Sequence, residues 1–140
     1  MPSLWLTIKE WLNRNNSAVK YLPKNNYINF VSDDKGESLT SMCTFYNNFE
    51  IAEFNLFRNQ AYLDFFEFLD KEGGFYYERW GDAPVHTYWI LFMLNKDQIH
   101  LFNDLPYSHQ HGSNFKLSQT NECSMELNGC NLEWSKKMRN

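Results

Sequence analysis

The chain is 140 residues long, which gives room for one domain of ordinary size and not for two separate cores. Hydrophobic residues make up 43% of it and aromatic residues 18%, a composition that excludes natural disorder. With 13 basic against 17 acidic residues the formal net charge is −4, and no stripe of Lys or Arg could track a phosphate backbone, which argues against nucleic-acid binding.

No apolar stretch approaches the roughly 18 to 20 residues that cross a bilayer, and the amino terminus lacks the regions of a secretory signal. The chain on its own therefore reads as soluble. Ser3 is placed to cap a helix in which Leu4, Trp5, Ile8, Trp11 and Leu12 share one face, so residues 4–15 are predicted as an amphipathic helix. Asn15, Asn16 and Ser17 end it, and the same tripeptide matches a glycosylation acceptor, a pattern common by chance. Pro23, Asn25 and Asn26 predict a turn before the apolar run Tyr27 to Val31, and Asp33 to Gly36 predicts a polar turn after it. Met42 to Phe49 is apolar without clean alternation, which suits a strand or an extended loop entering a site.

From Ala61 to Lys71, Tyr62, Phe65, Phe66 and Leu69 recur at helical spacing, and Gly73 and Gly74 supply a left-handed stop. Asp82 before Ala83 and Pro84 predicts a second helix start, because proline needs no hydrogen-bond acceptor in a first turn; that helix runs through Trp89 to about Met93. Asn95 to Gln98 is turn-like, and Ile99, Leu101 and Phe102 predict a short strand ending near Asp104. Beyond His111 the pattern is polar and predicts no definite element. Cys43, Cys123 and Cys130 fit no paired zinc spacing, and an odd number cannot close wholly into internal disulfides.

Two segments carry chemistry. In Tyr46-Asn47-Asn48-Phe49-Glu50-Ile51 a carboxylate stands among aromatic and apolar neighbours, where partial burial demands a strong partner. Glu50 is then either a functional group or the partner of Arg58 or Arg79. The fourteen residues Gly73 to His86 mix acids, an arginine, aromatics and glycines. Glycines allow close backbone approach, aromatic rings can floor a sugar site, and Arg79 can neutralise a carboxylate or a diphosphate. The plainer alternative is an ordered loop in which Glu78, Arg79 and Asp82 satisfy one another. Of the four histidines, at 86, 100, 109 and 111, His109 and His111 lie near Asp104 and Tyr107. Imidazole with carboxylate can hold Mn or Zn, but the spacing matches no strong metal motif, and a solvent-exposed or hydrogen-bonded histidine is the simpler reading.

In the order and spacing of Met42-Cys43 to Ile51, Phe65 to Asp70, Gly73 to His86 and Pro106-Tyr107-Ser108-His109, with the opening Pro2-Ser3-Leu4-Trp5, the chain resembles the fungal α-1,2-mannosyltransferases of the yeast mannoprotein-synthesis type, glycosyltransferase family 15. The resemblance implies an α/β fold, a partial GT-A-like nucleotide-sugar transferase domain. In it residues 1–112 form the carboxy-terminal part of the catalytic domain, and 113–140 are a tail without clear assignment. It implies a retaining, manganese-dependent transfer of mannose from GDP-mannose to mannose residues of N- and O-linked glycans on secreted and cell-wall glycoproteins, at the lumenal side of the Golgi membrane. By the same resemblance Glu50 matches the family's nucleophile, Asp82 a second essential acid, His109 a manganese ligand and Cys43 a disulfide cysteine. Tyr46 stands where an acceptor-stacking tryptophan is usual, and Asn48, Glu78, Arg79 and Trp80 are implied as further substrate contacts. The alternative is a truncated, noncatalytic relative without the donor-binding half.

Overall fold

Helix α1 spans Pro2–Arg14 in the computed structural model, which describes residues 2–14, 22–45, 47–100, 102, 108–109, 112–113, 115–117 and 123–125. Proline with its preset φ opens the helix, so Ser3 lies inside the first turn and not ahead of it as a cap. The Ser3 hydroxyl instead donates to the Glu78 carboxylate and accepts from Trp80 Nε1 at 3.1 Å. Leu4, Trp5, Ile8 and Trp11 are buried along the predicted face, with Leu12 half-buried at its border. Asn15 to Ser17 lie outside the described residues.

The chain forms two compact units, Met1–Asn95 and Lys96–Asn140. The first is built around helix α5, Asp82–Met93, in which every residue from Pro84 to Phe92 except His86 is buried. A helix that is apolar all round belongs at the centre of a core, because no face of it gains by meeting water. Helix α1 lays Trp5 against Tyr88 and Phe92, with ring centroids 5.3 and 5.8 Å apart, and Trp11 against Trp89 at 6.2 Å. Trp11 also meets Phe65 of helix α3, Gln60–Glu72, edge-on at 5.1 Å.

Helix α3 begins where the Asn59 side chain accepts from Tyr62 N at 2.9 Å, and it ends at Gly73, whose φ of +76° is the left-handed stop its glycine predicts. Tyr62, Phe65 and Leu69 form its buried stripe. Phe66, expected with them, is 45% exposed, since it lies one step round the helix from that stripe, and its ring leans on Phe75 at 5.5 Å. Two short helices flank α3: α2, Asn55–Arg58, and α4, Gly74–Tyr77. Trp89 Nε1 donates to Leu56 O at 2.9 Å, which ties α2 to the core helix.

Between α1 and α2 the chain is irregular. Tyr27 N donates to Leu91 O at 3.0 Å, and the apolar run makes a 3-10 turn, Ile28–Phe30. The polar turn that follows closes on Asp34, whose carboxylate accepts from the Ser32 hydroxyl at 2.7 Å, from Ser38 N at 2.8 Å and from the Ser38 hydroxyl. Gly36, at φ +98°, completes it. These hydrogen bonds, those from Ser38 foremost, hold the Asp34 carboxyl well below the usual carboxylate range. A depressed folded-state pKa stabilises above the ordinary value near 3.8 and loses that contribution as pH falls below it. Urea denaturation between about pH 5 and pH 2 should therefore show an acid-side fall in stability that Asp34→Asn makes shallower. An unchanged slope would remove Asp34 from the acid response.

Over 41–45 and 47–49 the backbone is extended or turned and joins no strand, which decides the open choice for this segment in favour of a loop. Two of its N–H groups are taken by side chains, Cys43 N donating to Ser41 Oγ at 3.1 Å and Phe45 N to Thr87 Oγ1 at 2.8 Å, and Ser41 N donates to Val31 O at 3.3 Å. Cys43 is disulfide-bonded.

In the second unit a 3-10 turn, Lys96–Gln98, matches the predicted turn. The strand expected from Ile99 does not form at Ile99, His100 or Phe102; Leu101 and Asp104 lie outside the described residues. Where no definite element was expected, two antiparallel pairs occur. Strand β1, Ser108–His109, pairs with β2, Gly112–Ser113, in the register Ser108 opposite Ser113 and His109 opposite Gly112. Strand β3, Phe115–Leu117, pairs with β4, Cys123–Met125. The described residues are thus mainly helical, and the strands among them are short antiparallel pairs, not the parallel sheet of an α/β domain.

Candidate active site

One turn of α5 organises the polar chemistry of the first unit. Asp82 and His86, four apart, are neighbours on the helix surface, and Thr87, next in the chain, is buried beside them. Each is met by a different point of the loop over residues 45–50. Phe45 N donates to Thr87 Oγ1, which itself donates to Ala83 O at 2.6 Å. Asn47 Nδ2 donates to Asp82 Oδ2 at 3.0 Å. Glu50 Oε2 lies 3.4 Å from His86 Nδ1, at the long end of hydrogen bonding. A carboxylate oxygen without a proton can only accept, so a hydrogen bond from His86 to it requires the proton on Nδ1.

The backbone of Glu50 is open to solvent while its side chain is 24% exposed; the His86 side chain is 29% exposed. The imidazole stacks on Phe57 of α2, with centroids 4.6 Å apart and planes inclined by 27°. Tyr62 of α3 completes the surroundings. Burial, and after it the nearby Glu50 charge, pushes its phenol above the ordinary tyrosine value. Asp82 is held below the usual carboxylate range, first by the Asn47 amide, with the Ala83 N–H and the charge of His86 adding to it and burial opposing. Its place in the first turn of α5 favours the same ionised form.

These contacts replace the ion pairs weighed from the sequence. Arg58 lies over the Phe54 ring at 4.3 Å, Arg79 is exposed in the left-handed conformation at φ +57°, and the side chain that meets Glu50 is His86. Glu78 goes to Ser3 and Asp82 to Asn47, so Glu78, Arg79 and Asp82 do not satisfy one another as the plain loop reading expected.

The remaining expected site residues are dispersed. Asn48 is exposed on the loop next to Asn47. Trp80 is 6% exposed, its ring laid against Gly74 and edge-on to Phe75 at 5.9 Å, and with Glu78 it anchors α1 through Ser3. His109 stands in β1 of the second unit. Tyr46 lies outside the described residues. Sequence reasoning passed over His86, Asn47 and Phe57 as site residues. The one local signal was His86 standing four residues after Asp82 on a predicted helix; nothing local marks Phe57.

With an ionised acid at the head of a helix and a second carboxylate held by an imidazole, the arrangement can stabilise a developing positive centre or deliver a carboxylate oxygen to one. Among the described residues no three His, Cys, Asp or Glu side chains converge to hold a metal ion. No helix among them is long and apolar enough to cross a membrane.

The sequence profile of the family described as glycolipid 2-alpha-mannosyltransferase matches residues 1–138. Glycolipid 2-alpha-mannosyltransferase 2 of Candida albicans is 48% identical over 109 residues, which cover 78% of this chain and 23% of that protein. The fold is similar to that of core-mannan synthase A from Aspergillus fumigatus in its Mn/GDP form, with a TM-score of 0.68 and 38% identity over 78% of this chain and 30% of that one. It is also similar to the mannosyltransferase Ktr4p of Saccharomyces cerevisiae in complex with GDP, with a TM-score of 0.76 and 26% identity over 95% of this chain and 39% of that one. The chain spans about a quarter of the length of the curated relatives it matches.

Proposed function

We infer the reaction from the family: the chain belongs to the glycolipid 2-alpha-mannosyltransferase family, and we propose that it supplies the acceptor-side, nucleophile-bearing part of an α-1,2-mannosyltransferase. The observation that carries this reading is the Glu50 carboxylate presented from the loop and held against His86, with Asp82 on the same turn of helix. In the proposed reaction the bond between the mannose anomeric carbon and the diphosphate of GDP-mannose breaks, and GDP leaves with the electron pair. Glu50 stabilises the oxocarbenium-like centre or forms a glycosyl ester with it. The 2-hydroxyl of an acceptor mannose then attacks the face that GDP left, the carboxylate departs from the opposite face with its electron pair, and the hydroxyl proton passes to the released diphosphate, so configuration is retained. GDP in both solved neighbours supports a guanosine-diphosphate donor.

Acceptors are proposed to be mannose residues of N- and O-linked glycans of secreted and cell-wall glycoproteins, at the lumenal side of the Golgi membrane. The proposed domain type is a partial GT-A-like fold. Asp82, ionised at pH 7, is proposed to orient a sugar hydroxyl, and exposed Asn48 and Arg79 are proposed substrate contacts together with Tyr46. Glu78 and Trp80 act one step back, since both are engaged with Ser3. Manganese dependence is proposed on the Mn/GDP form of the Aspergillus relative, with His109 as one ligand. The described residues do not by themselves fit the ion, because no three ligating side chains converge among them.

The test is mannosyl transfer by the protein carrying this sequence, from GDP-mannose to methyl α-mannoside with manganese present. An α-1,2-linked disaccharide, identified by its anomeric proton signals, is the expected product. A β-linked product or GDP-mannose left intact would overturn the assignment.

A further inference from the structure

Glu50 stands on a segment, residues 47–53, that forms neither helix nor strand. Its neighbours Phe49, Ile51 and Phe54 are 52, 75 and 69% exposed, so they do not clamp the segment by burial. A carboxylate on such a loop samples many rotamers unless a side chain fixes it, and misplacement by about 1 Å can cost on the order of 10²-fold in rate. The side chain that meets it belongs to the most deeply buried helix of the unit. His86 is flanked along α5 by buried Val85 and Thr87, and its ring is fixed from the other side by stacking on Phe57. The Asn47–Asp82 and Phe45–Thr87 hydrogen bonds tie the chain on either side of residue 46 to the same helix.

We propose that His86 is the positioning residue of Glu50: its Nδ1–H, held on a buried helix and stacked on Phe57, fixes the carboxylate in the orientation from which it acts. The proposal rests on the mannosyltransferase reading for what the carboxylate does, and on geometry alone for how it is held. The role requires a hydrogen-bond donor at Nδ1 and an aromatic or similarly flat body against Phe57. These two requirements can be separated. His86→Phe keeps the stacking surface and removes the donor, whereas His86→Asn keeps a donor at nearly the Nδ1 position and gives up the ring.

Steady-state transfer kinetics, melting curves and nitrogen-15 spectra of the histidine side chains test it. His86→Phe should melt like the parent and lose about 10²-fold in kcat with KM for GDP-mannose little changed, and His86→Asn should recover most of that loss. In the spectra the His86 Nδ1 signal should show the protonated tautomer and move on Glu50→Gln. A folded His86→Phe protein whose kcat stays within threefold of the parent overturns the proposal, as does a His86 signal that does not respond to Glu50→Gln. If the parent protein transfers no mannose while the His86 signal does respond, the mannosyltransferase reading fails and the pairing of the two residues stands.

Discussion

Glu50→Gln should lower kcat for mannosyl transfer by about 10² to 10³-fold, the range seen when one preorganised electrostatic contact to a transition state is removed. Glutamine has the shape of glutamate and its carbonyl can still accept from His86 Nδ1. The loop therefore keeps its attachment to α5, and its Asn47 and Phe45 hydrogen bonds are untouched. What is lost is the negative charge and the nucleophilic oxygen, neither of which the fold needs at a side chain near the surface. KM for GDP-mannose should change little and the melting curve should superimpose on the parent's. Initial rates over a donor series, with circular dichroism melts of both proteins, decide the matter; turnover within threefold of the parent would remove Glu50 from the mechanism.

Gly74→Ala should destabilise the first unit by about 3 kcal/mol, at the upper end of ordinary overpacking. A Cβ added there would fall 2.2 to 2.4 Å from three atoms of the Trp80 indole. No rotamer change of a flexible tip relieves that clash, because the indole is 6% exposed, edged by Phe75 and held through Nε1 to Ser3. To admit the methyl group Trp80 must leave its seat, which breaks the link from the α4–α5 connection to α1 and shifts the start of α5, where Asp82 stands two residues on. Activity should fall with stability for that reason. Gly81→Ala is the control: a Cβ there would meet Pro84 Cδ at 3.8 Å, an ordinary contact, and its backbone is extended, so denaturant midpoints should barely move. Equal midpoints for the two variants would show that Trp80 has room to give way.

The Gly73–His86 block, the densest mixture of residue types in the chain, has divided duties. Gly73 turns the chain through the left-handed region, Gly74 yields space to Trp80, and Glu78 and Trp80 fasten α1. Only its last part, Asp82 and His86, faces the loop that bears Glu50. A sequence block that reads as one motif is here a scaffold followed by part of the candidate site, and its local composition does not separate the two.

Much of the helical framework was legible from local order. The stripes of α1 and α3, the glycine stop after Glu72 and the proline-marked start of α5 follow from spacings of three and four residues and from backbone preferences, which act within a turn or two. The resemblance of ordered blocks likewise pointed to the family. The tertiary structure decided the rest: that Ser3 serves Glu78 and Trp80 across more than seventy residues, that 41–45 and 47–49 join no strand, and that Glu50 finds His86 thirty-six residues away and not an arginine. Helix periodicity is set by neighbours along the chain, whereas the partner of a loop carboxylate is set by which buried helix the loop is packed against, and that depends on the whole core.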